Sequence, residues 1–392
     1  MEKSIINVAI VAVGYNRPDS MKILLDSINL VKNVDNNLDL IISIDKGQRQ
    51  GEIVEISEKF EWKYGKKIIR AFKERQGLRN HIIQCGDLTE KYDAVIVLED
   101  DLIVSPYFYS YVKQALEFYK HEDCIAGISL YKNQINQGVG RQFEVEHNGY
   151  DAYMMQYAQS WGQCWTKKMW SEFKNWYLKN ENKDLSEGEI IPEYISSWDN
   201  HSWLKYYMRY IVETNKYFIY PIISLSSNRS EAGQHCRFAN NDYYVSMLQG
   251  DMKFNFPRID ESVKYDIFFE RVGIENKIFP ECKGDILLDL YGSRTNYKNK
   301  RYVVSTNALP YKKINSFGLV LRPIEQNCIF PQQGEGINLY DLSKEDRIEK
   351  INQDYLTSFD TRGIHWKRLL HLGFSGFKNA ILYRIKESVK LL

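Results

Sequence analysis

Three consecutive acids, Glu99-Asp100-Asp101, follow directly on the apolar run Ala94-Val95-Ile96-Val97-Leu98 in a chain of 392 residues. Adjacent carboxylates repel one another and need a counter-charge. A divalent cation supplies one, and oxygen ligands suit Mn2+ or Mg2+. Such an ion serves the departure of an anionic leaving group. A diphosphate gathers negative charge as its bond to carbon breaks, and a bound cation stabilises that charge. A solvated turn before a helix also accepts acids, but the place directly after a buried strand favours a site.

The elements that must position these acids are legible around them. Apolar runs at 7–13, 38–44, 67–72 and 94–98 alternate with polar stretches of helical period at 20–31, 51–64 and 78–92. That alternation predicts an α/β fold with a parallel sheet covered on both faces. Ligands of such sheets bind beyond the carboxyl ends of the strands. Those ends read Gly14-Tyr15-Asn16-Arg17-Pro18, Asp45-Lys46-Gly47, the polar segment 73–80, and the acids themselves. Neither GxGxxG nor GxxxxGK[ST] follows the first run, which argues against a dinucleotide enzyme or a P-loop NTPase.

Further along, a helix at 105–119 and a strand at 125–130 lead into a tryptophan- and tyrosine-rich section at 150–210. A strand at 218–225 then opens into the polar loop 226–235. Strand-like pieces at 286–290, 301–305 and 316–321 suggest a separate unit. The expected division is a main α/β domain over 1–250, a small α+β unit over 251–350, and a basic tail over 351–392.

Bulk properties narrow the function. Fifty-two Lys and Arg balance 51 Asp and Glu, so no nucleic acid is expected as partner. The cysteines are far apart with no CxxC pair, which fits reduced thiols in a cytoplasm. No apolar run is long enough to span a bilayer, and the short apolar start reads as a first strand rather than a leader peptide. In the tail, Trp366, Leu370, Phe374, Phe377, Ile381 and Ile385 recur at helical spacing among Lys367, Arg368, Lys378, Arg384, Lys386 and Lys390. That pattern suits a helix lying in an anionic membrane surface, with docking onto the protein's own core as the alternative. It also suits a protein peripheral to the inner face of a membrane and an acceptor carried on a lipid.

The segment 92–108, an apolar strand followed by Glu-Asp-Asp, an apolar pair, a Pro and aromatics, resembles the metal-site segment of N-acetylglucosaminyltransferase I and related GT-A glycosyltransferases. The likeness covers roughly residues 5–235, with strong motifs joined by weakly matching segments. It implies a GT-A domain that binds a UDP-sugar, with Asp101 on the metal and Glu99 and Asp100 facing ribose and nucleotide. The segment 11–18 is similar to the family's first strand and gives Arg17 as a nucleotide contact. The segment 41–47 resembles its second strand and gives Asp45 as the acid near uracil. Arg79 lies near the family's other base-contacting segment. Ser196-Ser197-Trp198-Asp199-Asn200-His201-Ser202-Trp203 looks like the Trp-Asp-x-x-Trp segment whose acid is the general base, here Asp199. An N-cap role for Asp199 is the alternative, and His201 replaces an acidic residue of the family. The segment 158–165 resembles the floor of the donor pocket. The loop 227–236 is similar to Gly-rich loops of bacterial relatives and puts His235 near phosphate or metal.

The resemblance thus implies metal-dependent, inverting transfer of a hexosyl or N-acetylhexosaminyl group to a glycan hydroxyl, in bacterial surface polysaccharide synthesis. A sugar-nucleotide nucleotidyltransferase is the enzymatic rival, although the turn at 14–18 is short for a triphosphate-holding loop. A non-catalytic glycan-binding protein on the same fold is the rival of another class.

Overall fold

The first four apolar runs become neighbouring parallel strands. In the computed structural model, β1 (Val8–Gly14), β2 (Asp39–Ile44), β3 (Lys67–Ala71) and β4 (Ala94–Glu99) stand in the order β3-β2-β1-β4. The described residues are 6–34, 37–185, 190–229, 243–282, 284–297, 300–348, 353–361 and 363–390. Between the strands run α1 (Pro18–Ile28), α2 (Gln50–Lys59) and α3 (Gly77–Gly86). All of β1 is buried, as a central strand covered on both faces must be. Val8, Ile10 and Ala12 join one core with α1 and the helix after β4, while Ala9, Val11 and Val13 join a second core on the opposite face.

After β4 come β5 (Leu102–Val104), α4 (Phe108–Phe118) and β6 (Ile125–Ser129), then the small pair β7 (Ile135–Asn136) and β8 (Arg141–Gln142). There follow β9 (Ala152–Met155), β10 (Gln163–Thr166), α5 (Lys167–Asn180), α6 (Glu193–Ser196), α7 (Trp203–Glu213), β11 (Tyr217–Pro221), β12 (Ser226–Asn228) and β13 (Lys264–Tyr265). The large sheet has nine strands in the order β13-β9-β11-β6-β10-β4-β1-β2-β3. It is mixed rather than wholly parallel. β10 runs antiparallel between β4 and β6, and β9 runs antiparallel to β11. A continuous apolar run reports burial on two faces and says nothing of direction.

Local chemistry explains the ends of these elements. Pro18 opens α1 at a position where its missing N–H costs nothing. Thr166 and Ser202 cap α5 and α7 by accepting from Met169 N and Lys205 N. α2 stops at Lys59 rather than near 64, because Phe60 turns to extended backbone. The expected strand over 218–225 splits. β11 ends at Pro221, and the chain crosses to pair β12 with β5. Most tryptophans of the aromatic section fill core: Trp165, Trp170, Phe173 and Tyr207 pack together, with Phe173 and Tyr207 centred 4.1 Å apart. Each such side chain contributes about 1.5–3 kcal/mol by burial.

Packing runs across residue 250. Phe254 and Phe256 lie against Tyr111, and β13 extends the large sheet beside β9. After α8 (Glu275–Ile278) a second sheet begins, built from β14 (Ile286–Asp289), β15 (Tyr302–Ser305), β16 (Tyr311–Gly318) and β17 (Gly336–Glu345) in the order β14-β15-β17-β16. Leu288, Val304 and Ile337 share a core with Val97 and Tyr153 of the large sheet. α9 (Gln326–Ile329) precedes β17, and α10 (Gln353–Asp360) and α11 (Trp366–Lys390) follow it.

Candidate active site

Strand register brings the acids to the carboxyl edge. Val13 of β1 lies beside both Glu99 of β4 and Ser43 of β2, so Gly14, Ile44 and Asp100 reach the same front. The alternation of β4 sends Glu99 to the face of Val95 and Val97 and sends Asp100 to the other. Asp100 meets Arg17, which stands just ahead of α1. The guanidinium hydrogen-bonds Asp100 and lies 3.5 Å from an Asp101 oxygen. On the far side, Arg229 N donates to Asp101 O at 2.8 Å where β12 leaves β5.

The electrostatics follow from burial. Glu99 is held well above the usual carboxylate range by burial and by the charges of Asp101 and Asp100. Burial pushes Asp100 up to about 6 against the opposing pull of Arg17. Burial also works against the charge of Arg17, but Asp100, Asp101 and Glu99 outweigh it and hold the guanidinium protonated. One oxygen each of Glu99 and Asp101 is buried with no hydrogen-bond partner. Arg17 thus pairs with two carboxylates and lies in the field of a third, with unspent acceptors of Glu99 and Asp101 facing inward.

Asp45 is built differently. Its carboxylate is 3% exposed and accepts from the backbone N–H groups of Lys46, Gln76 and Gly77 at 2.7–3.0 Å. It clamps the end of β2 onto the start of α3, and Gly77 takes φ +74° there, a conformation that glycine adopts without strain. Arg79, one turn into that helix, spends its guanidinium on three partners: Tyr177 Oη, Asn200 O and Glu181 O at 2.7–2.9 Å. It also lies over the Tyr206 ring at 4.3 Å. Arg79 therefore ties α3 to the loop that carries Asp199.

Asp199 is not a helix cap, since Ser202 fills that place. Its side chain is 73% exposed and accepts from His201 N at 2.8 Å and contacts His201 Nδ1 at 2.5 Å. Those two His201 interactions hold the carboxyl below its ordinary range. His235 lies outside the described residues.

The segment 158–165 comes to the same edge. Trp161 is half-buried between Tyr131 and Tyr243, with centroids 4.7 and 4.5 Å away. Ser226 Oγ donates to Trp161 O at 2.5 Å, and Gly162 at φ +91° lets Leu130 and Ser226 approach to about the closest distance a side chain allows. Gln163, to which the sequence assigned no role of its own, is fully buried and neither end of its amide has a partner. It stands opposite Val97, diagonal to Glu99 on the same face. A second polar group also escaped the sequence reading. Ser43 Oγ accepts from Arg70 and contacts His81 Nε2 at 2.7 Å, with Cys85 Sγ at 3.2 Å from Arg70. The one available signal was a lone serine in the otherwise apolar run 40–44 of β2.

The residues present fit a divalent cation. Among the described residues no three His, Cys, Asp or Glu side chains form a complete donor set. Asp101 nevertheless offers a buried, unpartnered oxygen in an under-compensated acidic cluster. One carboxylate supplemented by phosphate oxygens and water is a common way to hold Mg2+.

The sequence matches no family model and no curated protein. Several solved structures are distantly similar. A mannosyltransferase from Pyrobaculum calidifontis in complex with GDP-Man and Mn2+ shares 9% identity over 41% of this chain and 44% of that chain, with TM-score 0.31. S. aureus TarS in complex with UDP shares 10% over 56% and 59%, with TM-score 0.37. A cytidylyltransferase from Leptospira borgpetersenii shares 10% over 44% and 65%, with TM-score 0.25. Each match spans less than two thirds of the solved chain. Likenesses this remote do not separate a sugar transferase from a nucleotide transferase.

Proposed function

We propose that this chain is a metal-dependent, inverting glycosyltransferase that moves a hexosyl or N-acetylhexosaminyl group from a UDP-sugar to a glycan hydroxyl, in surface polysaccharide synthesis. One observation carries the reading: the acidic cluster at the carboxyl edge of a mainly parallel sheet keeps buried oxygens of Glu99 and Asp101 unpaired, and among the described residues Arg17 is the cation whose ion pairs with it are seen. A nucleoside diphosphate with its cation has the complementary chemistry. When bound, Mn2+ or Mg2+ at Asp101 neutralises the leaving diphosphate, with His235 as a further candidate near phosphate or metal.

The chain's own residues divide the work. Arg17 orients Asp100 and Asp101 and offers its guanidinium toward phosphate or base. Glu99 and Asp100 face ribose and nucleotide. Asp45 sets the start of α3 beside uracil, and Arg79 fixes the distance between donor and acceptor sides. Asp199 takes the acceptor hydroxyl's proton as that oxygen attacks the anomeric carbon from the face opposite the diphosphate. For that step its carboxylate must shed the hydrogen bonds of His201 or be dehydrated by the acceptor, either of which raises its proton affinity. The three residues between β1 and α1 leave little room for the long loop of a nucleotidyltransferase.

The test is product analysis with a panel of UDP-sugars, Mn2+ and glycan acceptors. Release of UDP that disappears in Asp101→Ala and Asp199→Ala supports the reading. Pyrophosphate as product, or undiminished UDP release from Asp101→Ala, overturns it.

A further inference from the structure

Helices of the body hide their apolar faces. In α7, Trp203, Tyr206, Tyr207, Tyr210 and Ile211 are all buried, as an amphipathic helix on a core requires. α11 does the opposite. From 363 to 378 every described side chain is exposed except the half-buried Leu369. Trp366 is 60% exposed, Phe374 72% and Phe377 68%. With Leu369, Leu370 and Gly373 they line one continuous apolar face.

The root of this helix is fixed. α10 is held by Arg141 to Asp360 at 2.9 Å, by Arg322 donating to Phe359 O, and by the burial of Phe359. Gly363 then turns at φ +82°, and α11 departs with its apolar face uncovered by the body. Six basic residues against one acid, Glu387, mark residues 363–390. On a helix, Lys367 and Lys378 fall at the border of the apolar sector, where a long stem can lie along acyl chains while the ammonium stays with headgroups. No helix among the described residues is long and apolar enough to cross a membrane.

We infer that α11 is a membrane-docking helix that lies in the surface of an anionic bilayer. Trp366, Leu370, Phe374 and Phe377 enter the acyl boundary, and the flanking lysines and arginines engage lipid phosphates. The charge selects this occupant. A second copy of α11 would bring six more basic residues against the first, whereas an anionic lipid surface neutralises them. The root in α10 makes the body follow the helix, so the protein is held at the bilayer. The docking itself rests on no assumption about sugar transfer, and its readout needs none.

The experiment is co-sedimentation of the full chain with vesicles of phosphatidylcholine alone or mixed with phosphatidylglycerol. Three proteins are compared: the parent, Phe374→Glu/Phe377→Glu, and Lys367→Glu/Lys378→Glu. Both variants substitute exposed side chains, so an unchanged melting transition shows that the body is intact. The expected result is partition into the pellet with the anionic vesicles, weakened by salt and reduced at least tenfold in both variants. Equal binding to neutral vesicles overturns the inference, as does parent protein that stays in solution. So does a dimer in vesicle-free solution that Phe374→Glu/Phe377→Glu disperses, because the face would then belong to a second copy.

Discussion

Asp100 is 4% exposed and shares the Arg17 guanidinium with Asp101, whereas the Asp199 side chain is 73% exposed and bonds to its own neighbour, His201. The difference shows in the proton affinities, which burial raises to about 6 for Asp100 and the hydrogen bonds of His201 lower for Asp199. A buried, under-compensated cluster holds charge that a cationic ligand relieves on arrival. An exposed carboxylate holds none, and its chemistry depends on the acceptor that comes to cover it. On the proposed function, the donor side would be organised before binding and the acceptor side by binding.

The largest test of that contrast is Arg17→Ala. Removing the guanidinium that pairs with Asp100 and Asp101 strips the buried Asp100 carboxylate of its partner, which should cost about 3 kcal/mol of stability in urea unfolding. Millimolar Mn2+ should recover part of it. A loss below about 1 kcal/mol would mean that the cluster is not under-compensated.

Asp199→Asn removes the acceptor-side carboxylate without leaving a buried vacancy. Transfer should fall about 100-fold, equivalent to about 2.7 kcal/mol, while stability stays within about 0.5 kcal/mol. Full turnover in this variant would remove Asp199 as base and leave the donor side standing.

The smallest test concerns His81, buried beneath the carboxyl edge of the sheet, in contrast to the exposed His201 beside Asp199. Burial, reinforced by Arg70 and opposed by Asp45, lowers His81 to about 4 from its ordinary 6.5. A base that is harder to protonate folded than unfolded contributes full stability above pH 6.5 and loses it as pH falls toward 4. Between pH 7.5 and 5 that loss is about 2 kcal/mol. His81→Gln should show correspondingly less acid sensitivity in denaturant titrations at the two pH values. Asp100, whose raised proton affinity acts in the opposite direction, is present in both proteins and cancels in the difference.

The donor side was also the more legible in sequence. Strands buried on both faces write themselves as unbroken apolar runs, and polar residues directly after them must lie at one edge, so Arg17, Asp45 and Glu99-Asp100-Asp101 were placed from the chain alone. The direction of β10 was not, because an apolar strand looks the same either way. Arg79 reads locally as a helix charge, and its partners Tyr177, Glu181 and Asn200 become neighbours only when α3, α5 and the loop before α7 are packed. Ser43, Arg70 and His81 meet for the same reason. The tail's apolar periodicity was visible, but only the packing shows that the body leaves that face uncovered.

Titration calorimetry of UDP into the protein, with Mn2+ and with chelator, in the parent and in Asp101→Asn, addresses the central claim most directly. UDP should bind the parent only with Mn2+, and Asp101→Asn should lose that binding while still folding. UDP binding indifferent to Mn2+ and to Asp101→Asn, or no UDP binding by the parent under any condition, would contradict it.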